Sequence, residues 1–240
     1  MFCPMLNLNT FKSMLTEKAT PKAEETALKI LDSALELFRN EGFDSATMRD
    51  IAKNAGVATG AAYYYYSSKD AIVMAFYQRS ALEMQPKIKD ALEGAKGLEA
   101  RLRLLIRVKL DYFTPNRGVL RTLLRNGADP SHPLSPFSGE TRDIREADVA
   151  WFRSILVDCG IRIPRDLEPH LAGILWFFQM GVIFFWLIDE SPKQARTARL
   201  LELGAKAVTT LIKISALPFM RPVRKTAVEL VEIVTGVQAK

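Results

Sequence analysis

The stretch Thr47–Lys69 has the sequence TMRDIAKNAGVATGAAYYYYSSK. Its first half places apolar residues at the spacing of one helix face: Met48, Ile51, Ala52 and Ala55. Thr47 precedes this helix as a natural N-cap, because its hydroxyl can accept a backbone N–H. Gly56 suits the left-handed residue that ends a helix, and Val57 can fill the angle that follows. We predict a second helix from about Thr59 to Tyr65.

Two short helices joined by a glycine turn form the helix-turn-helix unit, whose second helix enters the DNA major groove. The stretch from Thr26 to Ile72 resembles the DNA-binding domain of TetR-type (tetracycline-repressor-like) transcriptional regulators. The matching motifs are Phe38-Arg-Asn-Glu-Gly42-Phe43, then Thr47…Ile51-Ala52…Ala55-Gly56-Val57, then Gly60…Tyr63-Tyr64-Tyr65-Tyr66…Lys69. The resemblance implies an all-α protein with an N-terminal three-helix helix-turn-helix domain and a C-terminal helical ligand-binding and dimerisation domain.

The composition is that of a soluble globular protein, with 48% hydrophobic and 25% charged residues among 240. The net charge of +6 permits a nucleic-acid partner. Between Lys22 and Asp70, however, the acids slightly outnumber the bases, so DNA affinity must come from a few well-placed groups. Cys3 and Cys159 make neither a disulfide framework nor a metal cluster, which is typical of the reducing cytosol. We therefore expect a cytoplasmic protein without a metal or a cofactor.

The periodicity divides the chain into four parts. Residues 1–20 are expected to form a flexible tail, or alternatively an arm that reaches DNA through Lys12 and Lys18. The other expected parts are a DNA-binding domain (21–81, with its motif at about 46–65), a ligand-binding and dimerisation domain (82–217), and an extra C-terminal helix (218–240). The apolar residues of that last helix indicate that it packs against the rest of the chain.

Eight residues of the motif are predicted to contact DNA: Thr47, Arg49, Thr59, Gly60, Ala61, Tyr63, Tyr64 and Lys69. Arg49 can bond to a guanine edge, and Lys69 can contact phosphate at the start of the fourth helix. Alternatively, Arg49 pairs with a neighbouring acid, Asp50 or Glu41.

Three further questions concern the second helix. Tyr66 is predicted to be a core residue, Tyr63 is a candidate for either the surface or the core, and Tyr65 is ambiguous. Ala58 stands where the family often has a capping serine, so Thr59 is an alternative cap.

The uncharged run Leu171–Ile188 reaches the lower length of a membrane span. Gln179 lies in its middle, and no basic cluster closely flanks it, so we favour a helix that packs on its own domain and on a partner subunit. The apolar surface of this helix and the small residues of the next helix together predict a homodimer with a four-helix interface. The candidate interface residues are Phe178, Val182, Phe185, Leu201, Gly204, Ala207, Val208 and Leu211.

Aromatic and amide residues outside the motif suggest a mainly apolar small ligand, although core packing explains them equally well. They are Phe76, Tyr112, Trp151, Trp176, Phe177 and Gln179. The basic segment Arg101–Lys109 is interpreted as a solvated helix face, with contact to DNA phosphates or to an anionic ligand as the alternative. Asp129 and His132, in the loop Asn126–Gly139, are two potential ligands and only weak evidence for a metal, so we predict no metal site.

An enzyme would need converging catalytic groups or metal ligands, and the sequence supplies neither. The prediction is a dimeric repressor that binds double-stranded DNA at a pseudo-palindromic operator and responds to an apolar effector. It is expected to have no catalytic activity and no membrane attachment.

Overall fold

The computed structural model describes residues 20–127 and 129–235, except for the side chains of residues 125, 126, 231, 232, 234 and 235. The regular elements in this part of the chain are helices, which confirms the all-α prediction. The α-helices are α1 (Pro21–Asn40), α2 (Met48–Asn54), α3 (Thr59–Tyr65), α4 (Lys69–Leu92), α5 (Leu98–Phe113), α6 (Arg117–Gly127), α7 (Arg142–Asp158), α8 (Glu168–Ile188), α9 (Ala195–Ser215) and α10 (Arg221–Thr235). Short 3₁₀ helices cover Thr114–Asn116, Pro192–Gln194 and Pro218–Met220. The predictions for residues 1–19 lie outside the described residues.

The described residues form two compact units, each built from two segments of the chain. The first unit contains residues 20–86 and 112–147, and the second contains residues 87–111 and 148–235. Helices α4, α5 and α7 therefore each contribute residues to both units. The division of the chain into successive domains at residues 81 and 217 stays a prediction.

The core of the first unit is formed by the apolar faces of α1, α2, α3 and the start of α4. Helix α1 begins with Thr20 as N-cap and Pro21 at its first position, and the chain turns at Gly42 with φ +92°. Tyr66 is 4% exposed, and its hydroxyl donates to the Ala27 carbonyl oxygen at 3.1 Å. Burial raises the pKa of Tyr66 to about 12. The predicted core role of Tyr66 is confirmed.

The loop before α7 is ordered by side-chain hydrogen bonds to its own backbone. The Ser135 hydroxyl donates to the Gly127 carbonyl at 2.8 Å, and the Thr141 hydroxyl donates to the Ser135 carbonyl at 2.7 Å. Leu134, 2% exposed, packs into the core of the first unit. Since these hydroxyls satisfy buried carbonyls, the loop keeps a defined path without regular structure.

Helices α8 and α9 of the second unit are joined through Asp189, which follows the last residue of α8. Its carboxylate accepts hydrogen bonds from the Thr197 hydroxyl at 2.6 Å and from the Thr197 and Ser191 backbone N–H groups at 2.9 Å each. Burial alone would raise the pKa of Asp189, but these hydrogen bonds outweigh it and hold the pKa below its ordinary value. The carboxylate thereby fixes the turn between the two helices.

Among the described residues, only α8 is long and apolar enough to cross a membrane by length and composition, with a mean hydropathy of 2.1 over its most apolar window. Of that window, 44% is buried within the chain. A partly buried helix with remaining apolar surface is also what a subunit interface requires.

Helix α10 differs from the prediction that it packs against the chain. Val223 and Leu230 are each 59% exposed, and Ile233 is 79% exposed. The amphipathic pattern correctly indicates an apolar face, but the described part of the chain leaves much of this face uncovered. A pattern along one helix says nothing about which element covers it.

Candidate DNA-binding surface

Helix α2 begins with a capping box built by Thr47 and Asp50. The Thr47 hydroxyl accepts the Asp50 backbone N–H at 3.2 Å, while the Asp50 carboxylate accepts the Thr47 backbone N–H at 3.1 Å. Hydrogen bonds from the Thr47 hydroxyl and backbone N–H lower the pKa of Asp50 below its ordinary value. The predicted N-cap is confirmed; Thr47 is an exposed residue, and its hydroxyl also donates to the Asp50 carboxylate at 2.5 Å.

The turn between α2 and α3 fixes the angle of the second helix. Gly56 has φ +64°, a left-handed conformation that costs a residue with a side chain about 1–2 kcal/mol. Val57 is partly buried against the core of the first unit. Ala58 is the N-cap of α3 in extended conformation and provides no side-chain hydrogen bond. Thr59 is already the first residue of α3, so the alternative in which Thr59 caps the helix is wrong.

Helix α3 separates an exposed face from a buried face. Tyr63 and Tyr64 are 53% and 71% exposed, and Thr59 and Gly60 are exposed one turn earlier. On the other side Ala62 is fully buried, and Tyr65 packs partly buried against the core. A helix places residues 59, 60, 63 and 64 on one side.

We call Thr59, Gly60, Tyr63 and Tyr64 the exposed face of α3. Ala61 lies at its edge with intermediate exposure. Tyr63 therefore belongs to the surface, and Tyr65 belongs to the core side.

Arg49 is exposed in the first turn of α2. In the described part of the chain it forms no ion pair with Asp50 or Glu41, the two partners considered from the sequence. Its guanidinium is therefore available to an external acceptor, which suits the predicted base contact.

Lys69 is bound within the protein at the start of α4. Its ammonium donates to the Phe43 carbonyl at 2.6 Å and to the Asp44 carbonyl at 3.3 Å, and it lies 4.6 Å from the centre of the Phe43 ring. An ammonium has three N–H donors, so two are used here. The structural role of Lys69 was missed from the sequence, while its phosphate contact stays a prediction.

The predicted ligand residues belong to two different units. Phe76 is 1% exposed in the core of the first unit, where its ring centre lies 6.0 Å from that of Phe113. Tyr112, also in the first unit, donates to the Glu83 carboxylate at 2.5 Å. Burial and the Glu83 hydrogen bond raise the pKa of Tyr112 to about 12. Core packing accounts for Phe76, and a ligand contact of this residue stays a prediction.

Trp151, Trp176, Phe177 and Gln179 belong to the second unit. Trp176 is buried, and its ring centre lies 5.2 Å from that of Phe177, which is 37% exposed. Trp151 has intermediate exposure. Gln179 is 1% exposed and belongs to a polar cluster that the sequence analysis did not foresee.

This polar cluster consists of Lys109, Asp148 and Gln179 in the second unit. The Lys109 ammonium donates to the Asp148 carboxylate and, at 2.6 Å, to the Gln179 amide oxygen. The Gln179 amide nitrogen donates to the Asp148 carboxylate at 2.5 Å. Lys109 is 2% exposed, so the interpretation that it lies on a solvated helix face is wrong. Burial lowers the pKa of Lys109, although Asp148 acts in the opposite direction.

Two predicted interface residues, Val182 and Leu201, are each 2% exposed within the chain. Their side chains have no surface for a partner, so their prediction as interface residues is wrong. Gly204 makes its close approach within the subunit, because a Cβ there would lie 2.7 Å from the Phe178 ring. Amphipathic spacing does not distinguish a face buried inside a subunit from one buried between subunits.

The surface of α9 still carries exposed apolar residues. Leu211 is 63% exposed, Ala207 is exposed and Val208 has intermediate exposure. Phe178 and Phe185, which lie on α8, also have intermediate exposure. Leu200, Leu203 and Ile214 continue the stripe of α9 along the same side. On α8, Phe177, Gly181 and Ile188 are exposed at helical spacing.

Two family models match the chain. The model described as "Bacterial regulatory proteins, tetR family" matches residues 30–76, and "Tetracyclin repressor-like, C-terminal domain" matches residues 101–230. The second match alone covers more than half of the chain. The chain belongs to the TetR family.

Curated relatives match shorter stretches of the chain than the family models together do. The HTH-type transcriptional regulator YvdT of Bacillus subtilis is 37% identical over 78 residues, which are 32% of this chain and 40% of YvdT. SrpR of Pseudomonas putida is 39% identical over 61 residues, 25% of this chain and 29% of SrpR. The chain thus spans less than half the length of these two relatives.

Solved TetR-family structures share the fold across most of the chain. FadR of Bacillus halodurans has a TM-score of 0.60 at 17% identity, covering 80% of this chain and 97% of its own. FadR of Thermus thermophilus has a TM-score of 0.56 at 22% identity, covering 76% and 92%.

Proposed function

We propose that the chain is a sequence-specific DNA-binding transcriptional repressor that acts as a homodimer and responds to a ligand. The observation that carries the proposal is the exposed face of α3, which presents two tyrosines while the Gly56 turn and the opposite buried face fix the helix. A second helix held in this manner is the one that enters the major groove in helix-turn-helix proteins. The family membership of the chain supports the same function.

Base contacts and phosphate contacts have different roles at such a surface. Arg49 supplies a fork of donors for a guanine edge, and Tyr64 supplies a ring for sugar or methyl groups together with a hydroxyl. Thr47, next to the N-terminus of α2, and the third donor of Lys69 are proposed to contact phosphate. Gly60 and Ala61 allow a close approach of the α3 backbone to the groove.

The proposed dimer uses the exposed apolar stripes of α8 and α9. A two-fold axis that pairs these helices would produce a four-helix interface. The remaining candidates are Phe178, Phe185, Ala207, Val208 and Leu211. The resulting dimer is proposed to bind half-sites one helical turn apart, roughly 34–36 Å.

The proposed effector is a small, mainly apolar molecule bound by the second unit. FadR of Thermus thermophilus is described in complex with lauroyl-CoA and FadR of Bacillus subtilis in complex with stearoyl-CoA, which supports an apolar effector class. Such a molecule acts as an inducer if it binds more tightly to a conformation whose DNA-binding units do not fit the operator.

The proposed location is the cytoplasm, where the operator DNA is accessible, and no catalytic activity is proposed. The competing interpretation is a membrane-associated protein anchored by α8. Fractionation of expressed protein separates the two, because an anchored protein sediments with membranes whereas a cytoplasmic regulator stays in the supernatant.

The decisive experiment selects binding sites from random DNA with the wild type, Arg49→Ala and Tyr64→Ala. If Arg49 contacts a guanine, Arg49→Ala should lose about 1–3 kcal/mol of binding free energy on the selected operator. It should also lose the preference for one base at one position in each half-site. Tyr64→Phe, which keeps the ring, should lose less binding free energy on the operator than Tyr64→Ala.

The matched control is Arg153→Ala, which removes the same charge from an exposed position in the second unit. It should select the wild-type sequence. Selection of one identical sequence by all the variants would remove Arg49 and Tyr64 from base recognition. Absence of any preferred sequence for the wild type would overturn the proposed function.

A further inference from the structure

A groove in the second unit is lined by an excess of arginine. It has a volume of about 350 Å³ and lies where the chain between α7 and α8 meets the junction of α9 and α10. Its lining residues are Arg162, Pro164, Arg165, Asp166, Ala216, Leu217, Pro218, Arg221 and Arg224. Four arginines and one aspartate give the groove a net charge of +3.

One of the four arginines is bound within the groove wall. Arg224 donates to both carboxylate oxygens of Asp166, at 2.8 and 2.7 Å, and to the Ser215 carbonyl at 2.6 Å. Its side chain is only 13% exposed. This arginine holds the start of α10 against the segment before α8, and it consumes the only acid of the groove.

The other three arginines, Arg162, Arg165 and Arg221, are exposed. No ion pair within residues 20–127 and 129–235 involves them. Three unneutralised guanidinium groups around one concavity repel one another, and solvent exposure reduces but does not cancel this cost. An anion bound in the groove would remove this repulsion between the arginines.

We propose that this arginine groove binds a soluble ligand that carries a pyrophosphate group. Guanidinium forks match phosphate oxygens in bidentate geometry, and an excess of three positive charges favours linked phosphates over a single carboxylate. The volume is in the range of small-molecule sites and exceeds what one phosphate fills. Pro164, Leu217 and Pro218 provide an apolar wall for an organic portion. The inference does not depend on the proposed function, because none of these residues belongs to the DNA-binding surface.

The test is calorimetric titration of the full chain with inorganic pyrophosphate at fixed ionic strength. The variant Arg162→Gln/Arg165→Gln/Arg221→Gln should bind pyrophosphate at least about tenfold more weakly than the wild type. The control Arg103→Gln/Arg107→Gln/Arg153→Gln removes the same charge from exposed positions of the same unit and should stay within about twofold. Circular dichroism melting should show that both variants are folded, and both should retain DNA binding.

Four results would overturn the proposal. Equal affinities of the wild type and the groove variant would place the pyrophosphate elsewhere, and an equal loss in the control would indicate unspecific charge attraction. Orthophosphate binding as tightly as pyrophosphate would refute the linked-phosphate assignment. Vesicles containing phosphatidylglycerol form a separate arm, and binding to them without binding to pyrophosphate would replace the soluble ligand by a lipid surface.

Discussion

The N-terminus of α2 and the polar cluster of Lys109, Asp148 and Gln179 are stabilised by contacts of opposite range. The capping box joins residues three positions apart. The cluster joins residues 31, 39 and 70 positions apart. Both satisfy polar groups, but the first lies at an exposed helix end and the second lies inside the second unit. Local contacts therefore set the geometry of the candidate DNA-binding surface, while long-range contacts determine which charge is buried.

The largest effect should come from breaking the cluster with Asp148→Ala. This substitution leaves the buried Lys109 ammonium without its counter-charge, and such a loss typically costs about 3–5 kcal/mol of the free energy of unfolding. Urea unfolding followed by circular dichroism, at equal protein concentrations, measures it. The variant Lys109→Met/Asp148→Leu/Gln179→Leu removes all three polar groups, and its free energy of unfolding should fall much less. If it loses as much as Asp148→Ala, the burial of the charge is not the cause.

An intermediate effect is expected at the contact between Gly204 and Phe178. Gly204→Ala should be less stable than Gly173→Ala by about 1–3 kcal/mol, because a Cβ at Gly204 overlaps the Phe178 ring while none at Gly173 meets an atom within 4 Å. Both changes gain the same helix propensity, so their difference isolates the overlap. Thermal unfolding measures the difference, and Phe178→Leu should reduce it. Equal stabilities would show that the ring moves aside without cost.

The smallest effect should come from the local contact at Thr47. Thr47→Ala removes the N-cap of α2 and should lower the free energy of unfolding by about 1 kcal/mol. The control Thr59→Ala changes a threonine that caps nothing and should stay within about 0.5 kcal/mol of the wild type. A loss at Thr59 as large as that at Thr47 would contradict the capping assignment of α3.

The sequence predicted the DNA-binding region well because its signals are local. The N-cap Thr47, the left-handed Gly56 and the ends of α3 at Thr59 and Tyr65 follow from spacing and turn chemistry alone. Tyr66 was assigned to the core from its place in the family motif. Lys69 is the exception in this region, because its partners, the Phe43 and Asp44 carbonyls, lie 26 and 25 positions away, and its structural role was missed.

The second unit was predicted less well because burial there depends on packing between distant segments. Lys109 falls on the stripe of Leu102, Leu105 and Ile106, and this spacing was the signal that it faces inward. The neighbouring arginines in α5 suggested a charged, solvated helix face instead. The partners of Lys109 lie on α7 and α8, and no pattern along one helix identifies such pairs.

The bonds of Lys69 also restrict how the DNA-binding surface can move. The chain between α3 and α4 is only Tyr66, Ser67 and Ser68, and it would otherwise be a natural hinge. Because Lys69 is tied to the carbonyls of Phe43 and Asp44, and Tyr66 is tied to Ala27, this connection has few free rotations left. A rotation of the first turn of α4 would therefore carry α1, α2 and α3 with it as one rigid body. Their orientation would change, while the arrangement of the side chains on the exposed face of α3 would not.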